Sequence, residues 1–239
     1  MLLEVKSLIK EYGGKNVVDG LSFTVNAGEV VGLLGPNGAG KTTAFYMTIG
    51  LISPSEGKVL FKGHDVSSYP IHKRARMGMG YLAQEPSVFR QMSVEDNIRS
   101  ILEFTTLSKK QQKERLEELL EELSLTSHRN KLACTLSGGE RRRLEITRAL
   151  VTNPSLLLLD EPFANIDPLS VNDVKLLIQH LKKKGISVLI TDHNARELTS
   201  IVDRSYLINE GKVLLEGTPE ELLRSEFARK TYFGENFTL

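Results

Sequence analysis

Three short stretches of this chain carry side chains able to do chemistry, and each follows an apolar run. The first is GPNGAGKTT, at 35–43 after EVVGLL. It fits G-x-x-x-x-G-K-[ST] through Gly35, Gly40, Lys41 and Thr42, with Pro36, Asn37, Ala39 and Thr43 completing the loop. Glycines at 35, 38 and 40 let the backbone curl so that its N–H groups converge on phosphate oxygens (Gly38 at the tip). A helix opening behind the loop would aim its positive end at the same anion. Lys41 adds a point charge for the outer phosphates, and the Thr42 hydroxyl suits Mg²⁺. The second stretch is LLLLDE, 156–161. Four leucines and an acid alone read as a core strand reaching the surface. Downstream of a phosphate loop, Asp160 would reach Mg²⁺ directly or through water, and Glu161 would orient an attacking water and take its proton. The third is His193, which ends ISVLITDH. It could contact the terminal phosphate or hold Glu161 and water in register. A zinc site from Asp160, Glu161 and His193 has no HExxH or cysteine pattern behind it. The remaining histidines, His64, His72, His128 and His180, read as structural.

A second phosphate-type device stands at LSGGERRR, 136–143. Ser137 and Glu140 form S-x-x-E, a capping box, which by itself marks only a helix start. Gly138 and Gly139 are poor helix formers for a first turn. Their use would be to let another surface approach the helix end closely, where free N–H groups and the Ser137 hydroxyl offer donors. The stretch therefore suits an anion arriving from outside. Arg141, Arg142 and Arg143 are expected to make surface ion pairs, because three consecutive residues spread around a helix and form no nucleic-acid stripe.

These groups need elements to hold them. In open α/β sheets, ligands bind at the carboxyl ends of parallel strands, so the three apolar runs are expected to share one sheet. EVVGLLG, SLLLLDEP and ISVLITDH are nearly continuous apolar runs that suit strands buried on both faces. PLSVNDVKLLIQHLKKKG between the last two reads as a crossover helix closed by Gly185. KTTAFYMTIGLI reads as the helix behind the phosphate loop. LSFTV and GKVLFKGHDV read as short strands with turns. From 93 to 153 the pattern is helical, with Leu116, Leu119, Leu120 and Leu123 on one face. RSYLINEGKVLLEGTPEEL predicts a hairpin turning at Glu210-Gly211, then a helix capped by Thr218 with Pro219 first inside.

The bulk numbers exclude several classes. Lys plus Arg, 31, nearly balances Asp plus Glu, 30, among 239 residues, so nothing pulls the chain toward nucleic acid. Tryptophan is absent and no base-stacking surface is expected. The one cysteine, Cys134, excludes an internal disulfide and reads as a small apolar residue in a reducing compartment. MLLEVKSLIKEY has charges every few residues and is not expected to be a signal peptide. No run approaches the roughly 20 apolar residues of a membrane-spanning helix, so action at a membrane would need another polypeptide.

GPNGAGKTT, Gln84, LSGGE, LLLLDE, Asp167 and TDH occur in an order and spacing similar to the ATP-binding-cassette ATPase subunits of transporters. The resemblance covers essentially the whole chain. It implies an α/β P-loop NTPase fold with a mostly parallel core sheet, an antiparallel β subdomain and a helical insert. One domain would span 1–239, with its nucleotide-binding core at 1–90 and 154–239 and the helical part at 91–153. It implies a Mg²⁺-dependent ATP hydrolase in which two copies pack head to tail, each ATP lying between the phosphate loop of one and the signature of the other. By residue, it implies Tyr12 stacked on adenine, Gln84 sensing Mg²⁺ and water, and Ser137, Gly138, Gly139 and Glu140 as the signature facing ATP in trans. Glu161 would be the base, His193 the switch, Asp160 a Mg²⁺ residue and Asp167 an acid at the dimer interface. Asn165 stands where a small residue, often Gly, is usual; Asn tolerates left-handed backbone, so the loop is expected to survive.

Within the family, YLAQEPSVFRQMSVEDNI, LITDHNARE and the ending YFGENFTL look like the subunits that power lipopolysaccharide export. Branched-chain amino acid import ATPases share much of this. The implied partners are a second copy and integral membrane permease subunits, with the chain on the cytoplasmic face of the inner membrane. A groove near Gln84, with Phe89 and Arg90, would receive a short helix from the permease. Tyr232, Phe233 and Phe237 would either pack on the chain's own body or steady the dimer. A small-molecule kinase would share the phosphate loop but has no use for LSGGE. A soluble protein of this family usually carries two cassettes or a long coiled-coil insert, and neither is here.

Overall fold

The three apolar runs are neighbouring strands. In a computed structural model, which describes residues 1–164, 167–234 and 237, β1 (Leu3–Tyr12) and β2 (Lys15–Val25) form a hairpin, followed by β3 (Val30–Leu34) and α1 (Lys41–Ile49). Next come β4 (Glu56–Phe61), β5 (His64–Asp65), α2 (Ile71–Arg76) and β6 (Met79–Leu82). The helices α3 (Val94–Leu102), α4 (Lys109–Glu122) and α5 (Gly138–Leu150) precede β7 (Leu156–Asp160). After it lie α6 (Pro168–Lys183), β8 (Ser187–Thr191), α7 (Ala195–Thr199), the hairpin β9 (Arg204–Asn209) and β10 (Lys212–Gly217), and α8 (Pro219–Arg224).

The main sheet has the order β10-β9-β3-β8-β7-β6 among the described residues. Its pairs are parallel from β9 to β6, and β10 is antiparallel at the edge. A second sheet, β2-β1-β4-β5, is antiparallel. β3, β7 and β8 are buried at every position, as their unbroken apolar runs require. Strand alternation divides these residues between two cores. Leu157, Leu159, Val188 and Ile190 pack with α3 to α6; Leu156, Leu158 and Leu189 pack with α1 and the antiparallel sheet. Each leucine of β7 is fully buried, worth about 1.5–3 kcal/mol per side chain.

The crossover β7–α6–β8 is present, as is the β9–β10 hairpin, whose turn puts Glu210 and Gly211 at φ 48° and 75°. Thr218 caps α8 with a capping box and Pro219 opens it. Leu116, Leu119 and Leu120 are the buried residues of α4. β1 and β6 are strands that the sequence reading does not name; MGYL of β6 is too short to show a period, and its pairing with β7 is what extends it. Cys134 is half-buried. Tyr232, Phe233 and Phe237 stack at 5.1 and 4.9 Å and pack against the chain's own core. No helix among the described residues is long and apolar enough to cross a membrane.

Candidate functional site

β3 delivers the chain to the phosphate loop at Gly35. A Cβ there would lie 2.0 Å from the Ile208 carbonyl oxygen, and at Gly40, with φ 95°, 2.6 Å from that of Val17. Only glycine lets the loop lie this close to β9 and β2. Lys41 is buried, and its Nζ donates to the Gly35 and Pro36 carbonyls at 2.7 and 2.9 Å, bridging the loop from within. Burial lowers the Lys41 pKa, opposed by the carboxylates of Glu161 and Asp192. Thr42 is exposed on the first turn of α1. That turn carries no acidic residue, which leaves its positive end uncompensated for an arriving anion.

β8 lies between β3 and β7, so the His193 loop stands between the phosphate loop and the acid pair. Asp160 pairs with Thr191 in the ladder, and the Glu161 N–H donates to the Thr191 carbonyl at 2.7 Å. Glu161 has φ 46°, a left-handed conformation that costs a residue with a Cβ about 1–3 kcal/mol. It turns the side chain out of the sheet. Gln84 Nε2 donates to Glu161 Oε2 at 2.7 Å, and His193 Nδ1 lies 3.4 Å from the same oxygen. Three segments distant in sequence therefore meet on one carboxylate oxygen, which is the geometry a general base needs to be held and oriented.

Asp160 is 1% exposed. Burial, reinforced by the Glu161 charge, pushes its carboxyl up to about 6, and the Tyr46 and Tyr81 hydroxyls beside it pull the other way. Its Oδ2 is buried without a hydrogen-bond partner. An orphaned carboxylate oxygen in this position fits Mg²⁺, which favours oxygen donors and keeps most of its ligands as phosphate and water.

The signature is built at the start of α5. Ser137 Oγ accepts from the Glu140 N–H at 3.2 Å, and Glu140 Oε2 accepts from the Ser137 N–H at 2.7 Å, so the capping box is formed. The Ser137 N–H and hydroxyl both lie against the Glu140 carboxyl and lower its pKa. His128 Nε2 lies 2.9 Å from Glu140 Oε1 and holds the box from behind, a structural role. The two glycines differ. A Cβ on Gly138 would meet nothing within 4 Å, whereas one on Gly139 would lie 3.1 Å from Ser170 Oγ of α6. Gly138 keeps the outer face open; a side chain at Gly139 would crowd Ser170 within the chain.

Arg142 corrects the expectation of surface ion pairs. It is 6% exposed and paired with buried Glu145 at 2.9 Å. It also donates to the Ala83 carbonyl at 3.3 Å, and Glu145 Oε1 accepts from the Ser87 N–H at 3.2 Å. α5 thereby grips the segment bearing Gln84. Its neighbour Arg143 does pair at the surface, with Asp173 at 2.8 Å, and Arg141 donates to the Leu136 carbonyl at 3.1 Å. Gln84, Gly138, Arg141, Glu161, Pro162 and Ala164 line one cleft of about 110 Å³. Phe89 and Arg90 are both exposed, with Arg148 stacked 4.9 Å from the Phe89 ring. Tyr12 is exposed at the end of β1, in the hairpin whose Val17 carbonyl packs on Gly40. Asp167 caps α6, accepting from Ser170 N and Oγ at 3.1 and 2.6 Å. Asn165 lies outside the described residues.

Residues 18–164 match the family model described as ABC transporter. The chain is 49% identical over 238 residues to the lipopolysaccharide export system ATP-binding protein LptB of Escherichia coli K12, covering 99% of each. It is 52% identical to the LptB of Acidithiobacillus ferridurans over 238 residues, covering 100% of this chain and 99% of that one. Among solved structures, the ADP conformation of an ATP-binding cassette of an ABC transporter superposes with a TM-score of 0.87 at 29% identity, covering 98% of this chain and 99% of that one.

Proposed function

The chain belongs to the ABC transporter family of ATP-hydrolysing subunits, and from that premise we propose that it powers lipopolysaccharide export as a homodimer beneath integral membrane partners, on the cytoplasmic face of the inner membrane. The cargo reading is supported by the near-full-length similarity to LptB proteins. Lys41 and the N-terminus of α1 hold the outer phosphates of ATP. Thr42, Asp160 and Gln84 would hold Mg²⁺, which would supply charge neutralisation at those phosphates. Glu161 takes the proton of the attacking water, and His193 and Gln84 fix the oxygen that receives it. Tyr12 stacks on adenine. Ser137 and Gly138 of the second copy, followed by Gly139 and Glu140, close the site from the other side, with Asp167 at the interface. Residues 91–153 form the helical part, and α5 is tied to the Gln84 segment through Arg142 and Glu145.

The observation that carries the mechanism is the meeting of Gln84 and His193 on Glu161 Oε2. Glu161→Gln should lower kcat at least about 10²-fold, the usual contribution of a positioned base, while ATP binding persists and an ATP-bound dimer accumulates. Steady-state turnover and size-exclusion chromatography with ATP test this. A variant that keeps turnover sinks the assignment of the base. Recovery of the chain from cells with no membrane protein attached would sink the transport reading.

A further inference from the structure

Among the described residues, the chemistry assigned above leaves one buried carboxylate unused. Asp192 is 0% exposed, one residue past β8 and one before His193. A carboxylate cut off from water needs charge-assisted hydrogen bonds. Asp192 Oδ2 accepts from the Phe163 N–H at 3.0 Å, and Oδ1 accepts from the Asn194 N–H at 2.8 Å. Those two amides belong to the two segments that carry Glu161 and His193. The left-handed turn at Glu161 is thus held from the β8 side at two points, by the Thr191 carbonyl and by the Asp192 carboxylate. The same carboxylate fixes the backbone just after His193, and its Oδ1 lies 3.7 Å from His193 Nδ1. Loosening either amide would change the 3.4 Å separation of His193 and Glu161.

We infer that Asp192 is a positioning residue for hydrolysis, tying the backbone after Glu161 to the backbone after His193 and so setting the spacing at which those side chains meet the attacking water. This rests on the roles proposed above for Glu161 and His193. Asp192, 0% exposed, acts through those two backbone amides. A residue buried for stability alone would leave kcat untouched in any variant that folds.

The test uses the full-length chain with Asp192→Asn, Asp192→Ala, His193→Ala, the Asp192→Ala/His193→Ala double variant and Glu161→Gln. Asn keeps one acceptor oxygen and turns an NH₂ toward the other amide, so one bond is lost and kcat should fall about tenfold. Ala loses both bonds and should cost about 100-fold. KM for ATP should move less than about threefold, since the phosphate loop is untouched. On top of His193→Ala, Asp192→Ala should add less than about threefold, because the two act through one arrangement. Independently of turnover, the Phe163 and Asn194 amides should exchange faster with solvent in Asp192→Asn, while those of 35–43 keep their rates. An unchanged kcat in Asp192→Asn, a defect lodged in KM, or defects that multiply fully in the double variant would overturn the inference. Should Asp192→Ala fail to fold, Asp192→Asn, of similar volume, carries the test alone. Glu161→Gln separates the levels: turnover in that variant removes the assigned base, whereas a dead Glu161→Gln beside a normal Asp192→Asn removes only the role of Asp192.

Discussion

Asp160 ties the free energy of the nucleotide-free chain to pH. Burial and the adjacent Glu161 charge raise its pKa from the ordinary 3.8 to about 6. A raised carboxyl pKa favours the protonated folded form. Its contribution to stability is intact below about pH 4 and is lost as pH rises through about 6. At pH 8 the folded chain therefore carries the full cost of ionising it, about 1–3 kcal/mol. Asp160→Asn removes that cost. The variant should melt above the parent chain at pH 8, without nucleotide or Mg²⁺, and show little or no gain at pH 4. Thermal melts of both chains at the two pH values check this; an equal shift at both, or a loss at pH 8, contradicts it. The unpartnered Oδ2 has the same logic. A side chain that weakens the empty fold is the kind of feature that a site for a cation retains.

At the scale of elements, the start of α5 separates packing from function. Gly138 and Gly139 are adjacent and identical in type, yet only the second is enclosed. Gly139→Ala brings a methyl to 3.1 Å from Ser170 Oγ, a crowding that offsets its helix-propensity gain, so its melting temperature should lie below that of Gly138→Ala. Gly138→Ala gains up to about 1 kcal/mol of helix propensity and meets no neighbour, so the melting temperature should hold or rise. It should still weaken ATP-driven pairing of the Glu161→Gln chain, because the added methyl stands where a second surface must come close. Melting curves and size-exclusion with ATP read the two effects separately; a Gly138→Ala chain that pairs normally counts against the outward role. The contrast marks what sequence can carry. β3, β7 and β8 were readable because both faces are buried and the apolar runs are unbroken. S-x-x-E announced the cap of α5 because its partners are three residues apart. Arg142 was not readable, because its inward direction is set by Ala83 and Glu145 and not by its arginine neighbours. Of the two backbone amides that Asp192 holds, that of Asn194 is two residues on, a local Asx-type bond, whereas that of Phe163, 29 residues away, has no sequence signature.

For the whole molecule, the two helix ends decide the assembly. α1 opens behind the phosphate loop with no acid in its first turn, and α5 opens behind exposed Ser137 and Gly138. In a two-fold dimer, if one copy's loop meets the other's signature, the reverse contact forms as well, giving two composite sites. Lys41→Ala disables both sites of a homodimer from the loop side, and Ser137→Ala disables both from the signature side. Mixed, the two inactive chains form heterodimers in which both defects fall on the same site. The other site then has an intact loop from the Ser137→Ala chain and an intact signature from the Lys41→Ala chain. Random pairing makes half the dimers mixed, so about a quarter of all sites should be whole again. ATP turnover should therefore appear on mixing and vary with the ratio of the two chains, reaching its maximum near equal amounts. If each chain instead completed its own site, every site in every dimer would carry a defect, and mixing would restore nothing.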